Sequence, residues 1–321
     1  MSMRNRGDLS ETPSAVVATP CANVFGWNPI WSPYEQALYW VDMHAPSLHR
    51  LKPRSRQHEF WPMPEPCCGV ALAPTGVIVA LGGWLIHFQP ATGELTPLIE
   101  VRGASSESRL NALKCDARGR LWAATTRNAA VEGSGSLYRI DADARCSRIL
   151  SDLRNPSSLG WSPDFQAMYV SDAAEHHVRR YEYANSDGSL GDMTSFRLAG
   201  VEADWLHGCA VDAEGCIWSA RAQPGKVTRL SPEGELLSAL ALPVSQVTAC
   251  AFGGSGLRTL FVTTASQNLS QEERDAQPEA GHLFGIDVLT PGRPETAAAF
   301  LQRFPPFLST GGWPDAALPI Y

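Results

Sequence analysis

The chain has 321 residues, 44% of them hydrophobic, and a formal net charge of −7 from 26 Lys+Arg against 33 Asp+Glu. That balance excludes a phosphate-binding surface for nucleic acid, which needs clustered Lys and Arg. The apolar content suffices for a sizeable core, and no apolar run reaches the roughly 18 residues of a membrane span, so no membrane partner is expected. The opening residues MSMRNRGDLSETPSAVV hold no apolar h-region. No secretory signal is read, and a cytoplasmic location is expected. The eight cysteines, at 21, 67, 68, 115, 146, 209, 216 and 250, form no Cys-x-x-Cys pair. Reduced thiols are expected. The adjacent Cys67 and Cys68 read as small residues of a buried strand, with a reactive thiol or vicinal disulfide as the alternative.

Residues 1–14 are polar and read as a flexible N-terminal segment. Residues 15–321 read as a single domain built from a repeat. Each repeat is a short apolar strand, a turn in or near Gly, and a second strand rich in aromatic and β-branched residues. In chain order these are NPIWSPYEQALYWVD from Asn28, GVALAPTGVIVAL from Gly69, ALKCDARGRLWAATT from Ala112, SLGWSPDFQAMYVSD from Ser158, GCAVDAEGCIWSARA from Gly208 and ACAFGGSGLRTLFVTTA from Ala249. Equivalent positions are Trp31, Leu72, Cys115, Trp161, Val211 and Phe252, spaced by 41, 43, 46, 50 and 41 residues. That is the period of a four-stranded propeller blade. Two further strands follow the pair, as in SLHRLKP and HEFWPMP of the first repeat or KVTRLSP and ELLSALALP of the fifth. The fold class predicted is all-β, a six-bladed β-propeller with four antiparallel strands per blade. The stretch SQEERDAQPEAG reads as a polar loop, and no helix is expected. HLFGIDV and TAAAFLQRF read as the remaining strands of the last blade, closed by SAVVATP from the N-terminus. Closure hides the strand edges.

The first strand of each propeller blade lines the central channel, and its start lies at one mouth. Four residues before each equivalent position lies a ring of Trp27, Cys68, Asn111, Ser157, His207 and Thr248. The ends of the second strands bring Asp42, His44, Thr126, Asp172 and Arg221 toward the same mouth, and Arg109 points there too.

The segments WSPYEQALYWVD, RLNALKCDARGRLWAATT, GSLYRIDAD, WSPDFQAMYVSD, HGCAVDAEGCIWSA and VTACAFGG closely resemble the gluconolactonase, regucalcin (senescence marker protein) and luciferin-regenerating enzyme family, from about residue 16 to residue 300. The resemblance implies a six-bladed propeller with one divalent cation such as Ca²⁺, Mg²⁺ or Zn²⁺ at the mouth, and hydrolysis of sugar lactones. It also implies that the family's metal ligands are replaced. Trp27 in GWNP stands where the family has Glu, Ser157 in PSSLGWSPD stands for Asn, and His207 in LHGCAVD stands for Asp. In the family's substrate-contacting RxND, Arg109 and Asn111 remain and Ala112 replaces Asp. A hard cation wants carboxylate and carbonyl oxygens, so no metal cofactor is expected. The alternatives are a site rebuilt from His207 with Asp172 or His44, or a register in which Asn28 is a ligand.

His207 is the expected acid–base group, Arg109 and Asn111 the donors to an oxyanion. Ser157 is a nucleophile if it reaches His207. Trp27, Cys68, His44, Asp172, Arg221 and Thr248 are expected to line the substrate site. The function that follows is a hydrolase, isomerase or cyclase acting on a lactone-like small molecule without a metal. The alternatives are a non-catalytic ligand-binding propeller or a metal-dependent sugar lactonase with a rebuilt site.

Overall fold

A computed structural model describes residues 14–101, 108–127, 135–174, 177–197, 206–222 and 225–303. Among the described residues, twenty-four strands form six separate four-stranded antiparallel sheets. Within five of them the strands pair in chain order. The sixth has the order Val16–Thr19, Leu283–Asp287, Thr259–Thr264, Val247–Gly253, so the N-terminal strand is its outer edge. This is the six-bladed propeller that the repeat predicts, closed as SAVVATP predicts. The six inner strands, Gly26–Ser32, Cys67–Leu72, Ser108–Cys115, Pro156–Trp161, Leu206–Val211 and Val247–Gly253, begin at the repeat positions and pack against one another around the axis. Apolar side chains on both faces of these strands make each blade interface a sheet-on-sheet core.

Two of the repeats carry the same internal brace. Asp116 accepts Nε1 of Trp122 at 3.0 Å, and Asp212 accepts Nε1 of Trp218 at 2.9 Å, six residues on in each blade. Each carboxylate also holds an arginine, Arg120 at 2.6 Å and Arg229 at 2.8 Å. Both aspartates are buried, so the pair is useful only because every lone pair is satisfied.

The structure departs from the sequence reading in two places. Gln271–Ala276 is a short α-helix, not a polar loop. Ser270 Oγ accepts from Glu273 N at 3.2 Å, and the Glu273 carboxylate accepts from Ser270 N at 2.7 Å. This reciprocal capping box satisfies the first-turn donors. Residues 296–303 of TAAAFLQRF form no strand, because the N-terminal strand already occupies the outer edge of the last blade. Instead they run across the end of the channel opposite the mouth. Ala298 N donates to Leu72 O at 2.9 Å and Ala299 N to Gly119 O at 2.8 Å, and Phe300–Arg303 closes as a 3₁₀ turn. Ala298 and Phe300 are fully buried there, in the core shared with Leu72 and Cys115. Glu295 of the same strap pairs with Lys114 of an inner strand at 2.9 Å. All eight cysteines are free thiols, including Cys67 and Cys68. No helix among the described residues is long and apolar enough to cross a membrane.

Candidate functional site

The mouth of the channel opens into a pocket of about 520 Å³. The residues that reach it do so because the inner strands break register there. In four blades one inner-strand residue is left out of the ladder. Cys67 pairs with Leu81 and Gly69 with Ala80, skipping Cys68. Asn111, Ser157 and Thr248 are skipped in the same way. In the fifth blade the skip spans His207 and Gly208, between the Leu206–Arg221 and Cys209–Ser219 pairs. A bulge frees a side chain from the alternation of the sheet and re-aims it. The repeat-derived ring is thus a ring of bulges. In the first blade the bulge lies deeper. Trp27 stays paired with Val41, and the irregularity falls between Trp27 and Ile30. Asn28 takes φ 47° there, a left-handed conformation that Asn tolerates. Its Oδ1 accepts from Val70 N at 3.2 Å and Leu113 N at 3.4 Å, tying three blades together below the mouth.

Trp27, Asn111, Ser157, His207, Thr248, Arg109 and His44 all line the pocket. Trp27 is nearly enclosed, and its Nε1 donates across the channel to Asn111 O at 2.8 Å. His207 stands edge-on to Trp27, ring centroids 6.0 Å apart and planes at 83°. Burial, with a smaller contribution from the Arg221 guanidinium, pushes the His207 pKa down to about 4, so the imidazole is neutral at pH 7. Arg109 Nη1 donates to Asn111 Oδ1 at 2.8 Å. Asn111 Nδ2 in turn donates to Pro156 O at 2.9 Å and to Asn155 Oδ1 at 3.2 Å. Both amide protons of Asn111 are therefore spent within the protein. Asn111, expected as an oxyanion donor, here has its Nδ2 protons on Pro156 O and Asn155 Oδ1 while its Oδ1 accepts from Arg109. Ser157 Oγ donates to Ser171 O at 3.4 Å. Thr248 Oγ1 is held between Gly26 O and Thr263 Oγ1. His44 lies exposed on the rim, its ring 5.2 Å from Phe25.

Three expected substrate contacts are not on the pocket wall. Cys68 is fully buried, and burial raises its thiol pKa, opposed by the Arg109 side chain. It is a packed thiol and not a thiolate nucleophile. Asp172 is also fully buried, its carboxylate accepting from Arg154 N at 2.8 Å, Asn155 N at 3.0 Å and Ala174 N at 3.1 Å. Asp42 does the same in the first blade, with Val24 N, Phe25 N, His44 N and Ala45 N. These are loop-forming carboxylates. Arg221 is fully buried too, its Nε donating to Thr228 Oγ1 at 3.3 Å. The miss is one of parity. Met43, Ala173 and Ala222, each one residue after Asp42, Asp172 and Arg221, line the pocket in their place. Successive side chains of a strand face opposite ways.

The same rule would have found other missed residues. Phe25, Asn155 and Gln246 each lie two residues before a ring position, as the expected Arg109 does, and all three line the pocket with it. Period 2 puts them on the face of the ring residue. Gln267 and Asn268 had no such signal. They come from the loop after the Thr259–Thr264 strand, which Ser266 N and Gln267 N anchor to Val24 O at 3.1 Å each.

The family profile described as "SMP-30/Gluconolactonase/LRE-like region" matches residues 25–266. A 6-deoxy-6-sulfogluconolactonase of Pseudomonas putida is 37% identical over 289 residues, covering 88% of this chain and 97% of that protein. A pentonolactonase of Haloferax volcanii is 29% identical over 294 residues, covering 88% and 97%. The crystal structure of a calcium-binding protein, regucalcin, from Agrobacterium tumefaciens superposes with a TM-score of 0.82 at 26% identity, over 88% of this chain and 96% of that one. The profile takes in every inner strand from the first blade to the last, and the first of these relatives is similar along nearly its whole length. The chain therefore belongs to the SMP-30/gluconolactonase/LRE-like family.

Proposed function

We propose that the mouth pocket hydrolyses a lactone without a resident divalent cation, with His207 as the base. Family membership makes the chain a lactonase-like hydrolase; the metal-free chemistry and the residue roles are the proposal. The observation that carries it is the meeting of a neutral imidazole and a guanidinium, His207 and Arg109, in one enclosed pocket. His207 takes a proton from water as the water oxygen bonds to the lactone carbonyl carbon. Arg109, oriented by Asn111, holds the oxyanion that forms. The ring C–O bond then breaks, and the imidazolium returns its proton to the alkoxide, leaving a hydroxy acid. Ser157 and Thr248 border the reacting centre.

The donor set at the mouth does not suit a hard cation. The Trp27 indole offers an N–H donor, already given to Asn111 O, and no lone pair. Ser157 offers a neutral hydroxyl and His207 a single imidazole. Among the described residues no three His, Cys, Asp or Glu side chains are grouped to hold an ion. Elemental analysis of protein purified without chelator should return a substoichiometric metal content, and EDTA should leave lactone hydrolysis unchanged. One transition metal per chain, with activity lost to EDTA, would refute this. Binding of a lactone panel without conversion would replace the enzyme reading with that of a ligand-binding propeller.

A further inference from the structure

The pocket wall is built asymmetrically. The first blade contributes Phe25, Trp27, Met43 and His44. The ring of Phe25 lies 5.6 Å from Trp27, 5.2 Å from His44 and 6.4 Å from His207, so one aromatic cluster runs from the rim to the base. Trp27 has spent its only donor on Asn111 O, so below the rim, where His44 keeps its ring nitrogens, this wall presents ring faces and a thioether. The rest of the lining is different in kind: Arg109 and Asn155 stand on the third and fourth blades, and the carboxamides of Gln246, Gln267 and Asn268 on the last blade, beside the first. A polyhydroxylated sugar lactone carries hydroxyls around its ring, and those turned to the first blade would lose water without gaining a partner. An apolar ring face or aryl substituent there would lose nothing and would stack.

We propose, on the basis of the lactonase reading above, that the pocket selects lactones with an alkyl- or aryl-substituted apolar face, which packs on Phe25 and Trp27 while Arg109 and the carboxamides take the ester. The discrimination rests on packing one apolar group, which is worth about 10- to 200-fold in kcat/KM.

The test compares dihydrocoumarin, δ-valerolactone and glucono-1,5-lactone, each kcat/KM being divided by the uncatalysed hydrolysis rate. Dihydrocoumarin should exceed glucono-1,5-lactone by more than about tenfold. Phe25→Ala should lower the dihydrocoumarin value by about tenfold or more, and by clearly more than it lowers δ-valerolactone or glucono-1,5-lactone, with the fold retained. Phe25→Leu, which keeps the apolar surface, should recover part of the loss. A preference for glucono-1,5-lactone, or a Phe25→Ala loss equal for all three substrates, overturns the selectivity and leaves lactone hydrolysis standing. Turnover of none of the three overturns both.

Discussion

Replacing His207 with alanine should lower lactone turnover by a factor of about 10² to 10⁴, the ordinary contribution of a positioned general base. The fold should survive, because His207 sits in a bulge outside the sheet ladder and is partly open to the pocket. The pH profile separates this role from a packing role. The enclosed imidazole has its pKa lowered to about 4, so its neutral, proton-accepting form is present at all pH values above that. Activity should therefore stay level from neutrality down and fall only as pH passes below about 4, and not near the 6.5 of an exposed histidine. Residual turnover in His207→Ala should lack this acid limb. The same lowering has a stability consequence. A group whose folded pKa is depressed stabilises above its unfolded value and loses that contribution as pH falls through the folded one. Urea midpoints should accordingly decline between pH 6.5 and about 4, and His207→Gln should lessen that decline, to which the buried His49 also contributes. Unchanged turnover in His207→Ala would remove His207 from the reaction.

Asp116→Ala should be the most damaging single change far from the pocket. The Asp116 carboxylate is 1% exposed and accepts from five groups: Arg118 N, Arg120 N, Arg120 Nε, Trp122 Nε1 and Tyr183 Oη. Its removal takes the counter-charge from a buried guanidinium that keeps only Tyr183 Oη and Asn185 O, and the acceptor from an indole N–H, at the junction of the third and fourth blades. Deleting one partner of a buried pair costs about 3–5 kcal/mol. In a chain of this size that lowers the melting temperature on the order of 10 °C. Asp116→Asn keeps an acceptor for Trp122 and should lose less. Asp212→Ala removes the equivalent brace in the fifth blade, where Trp218 Nε1 loses its acceptor but Arg229 keeps Glu214 at 2.6 Å, and should cost less. A loss below about 1 kcal/mol for both would show that the braces do not hold the blades. Lactone turnover measured well below the melting temperature should stay near that of the parent chain, because neither aspartate touches the pocket.

The architecture was legible because it is repetitive. Spacings of 41 to 50 residues between Trp31 and its five counterparts fix blade number and strand register together. Counting back four from each counterpart then located five residues of the pocket, Trp27, Asn111, Ser157, His207 and Thr248. The same count gave Cys68, which is buried, since a repeat position states where a residue is in the blade and not how much room its neighbours leave. Asp172 and Arg221 failed by one residue, where strand alternation turns the side chain inward and Ala173 and Ala222 outward. Apolar content made TAAAFLQRF look like a strand, and the same content seats Ala298 and Phe300 in the closed end of the channel.

By itself the sequence determined the propeller, the closure by the N-terminal strand, and the absence of carboxylates from the six ring positions. These are local or periodic properties, written in alternation and spacing. The tertiary structure alone decided that Asn111 is bonded to Arg109, Pro156 and Asn155, and that Trp27 spends its N–H across the channel. It also decided that Phe25 joins Trp27, His44 and His207 in one aromatic wall. The deciding contacts join different blades: Trp27 to Asn111 across 84 residues, Asn111 to Pro156 across 45, and Phe25 to His207 across 182. No periodicity along one chain specifies which hydrogen-bond partner wins when such segments converge on an axis.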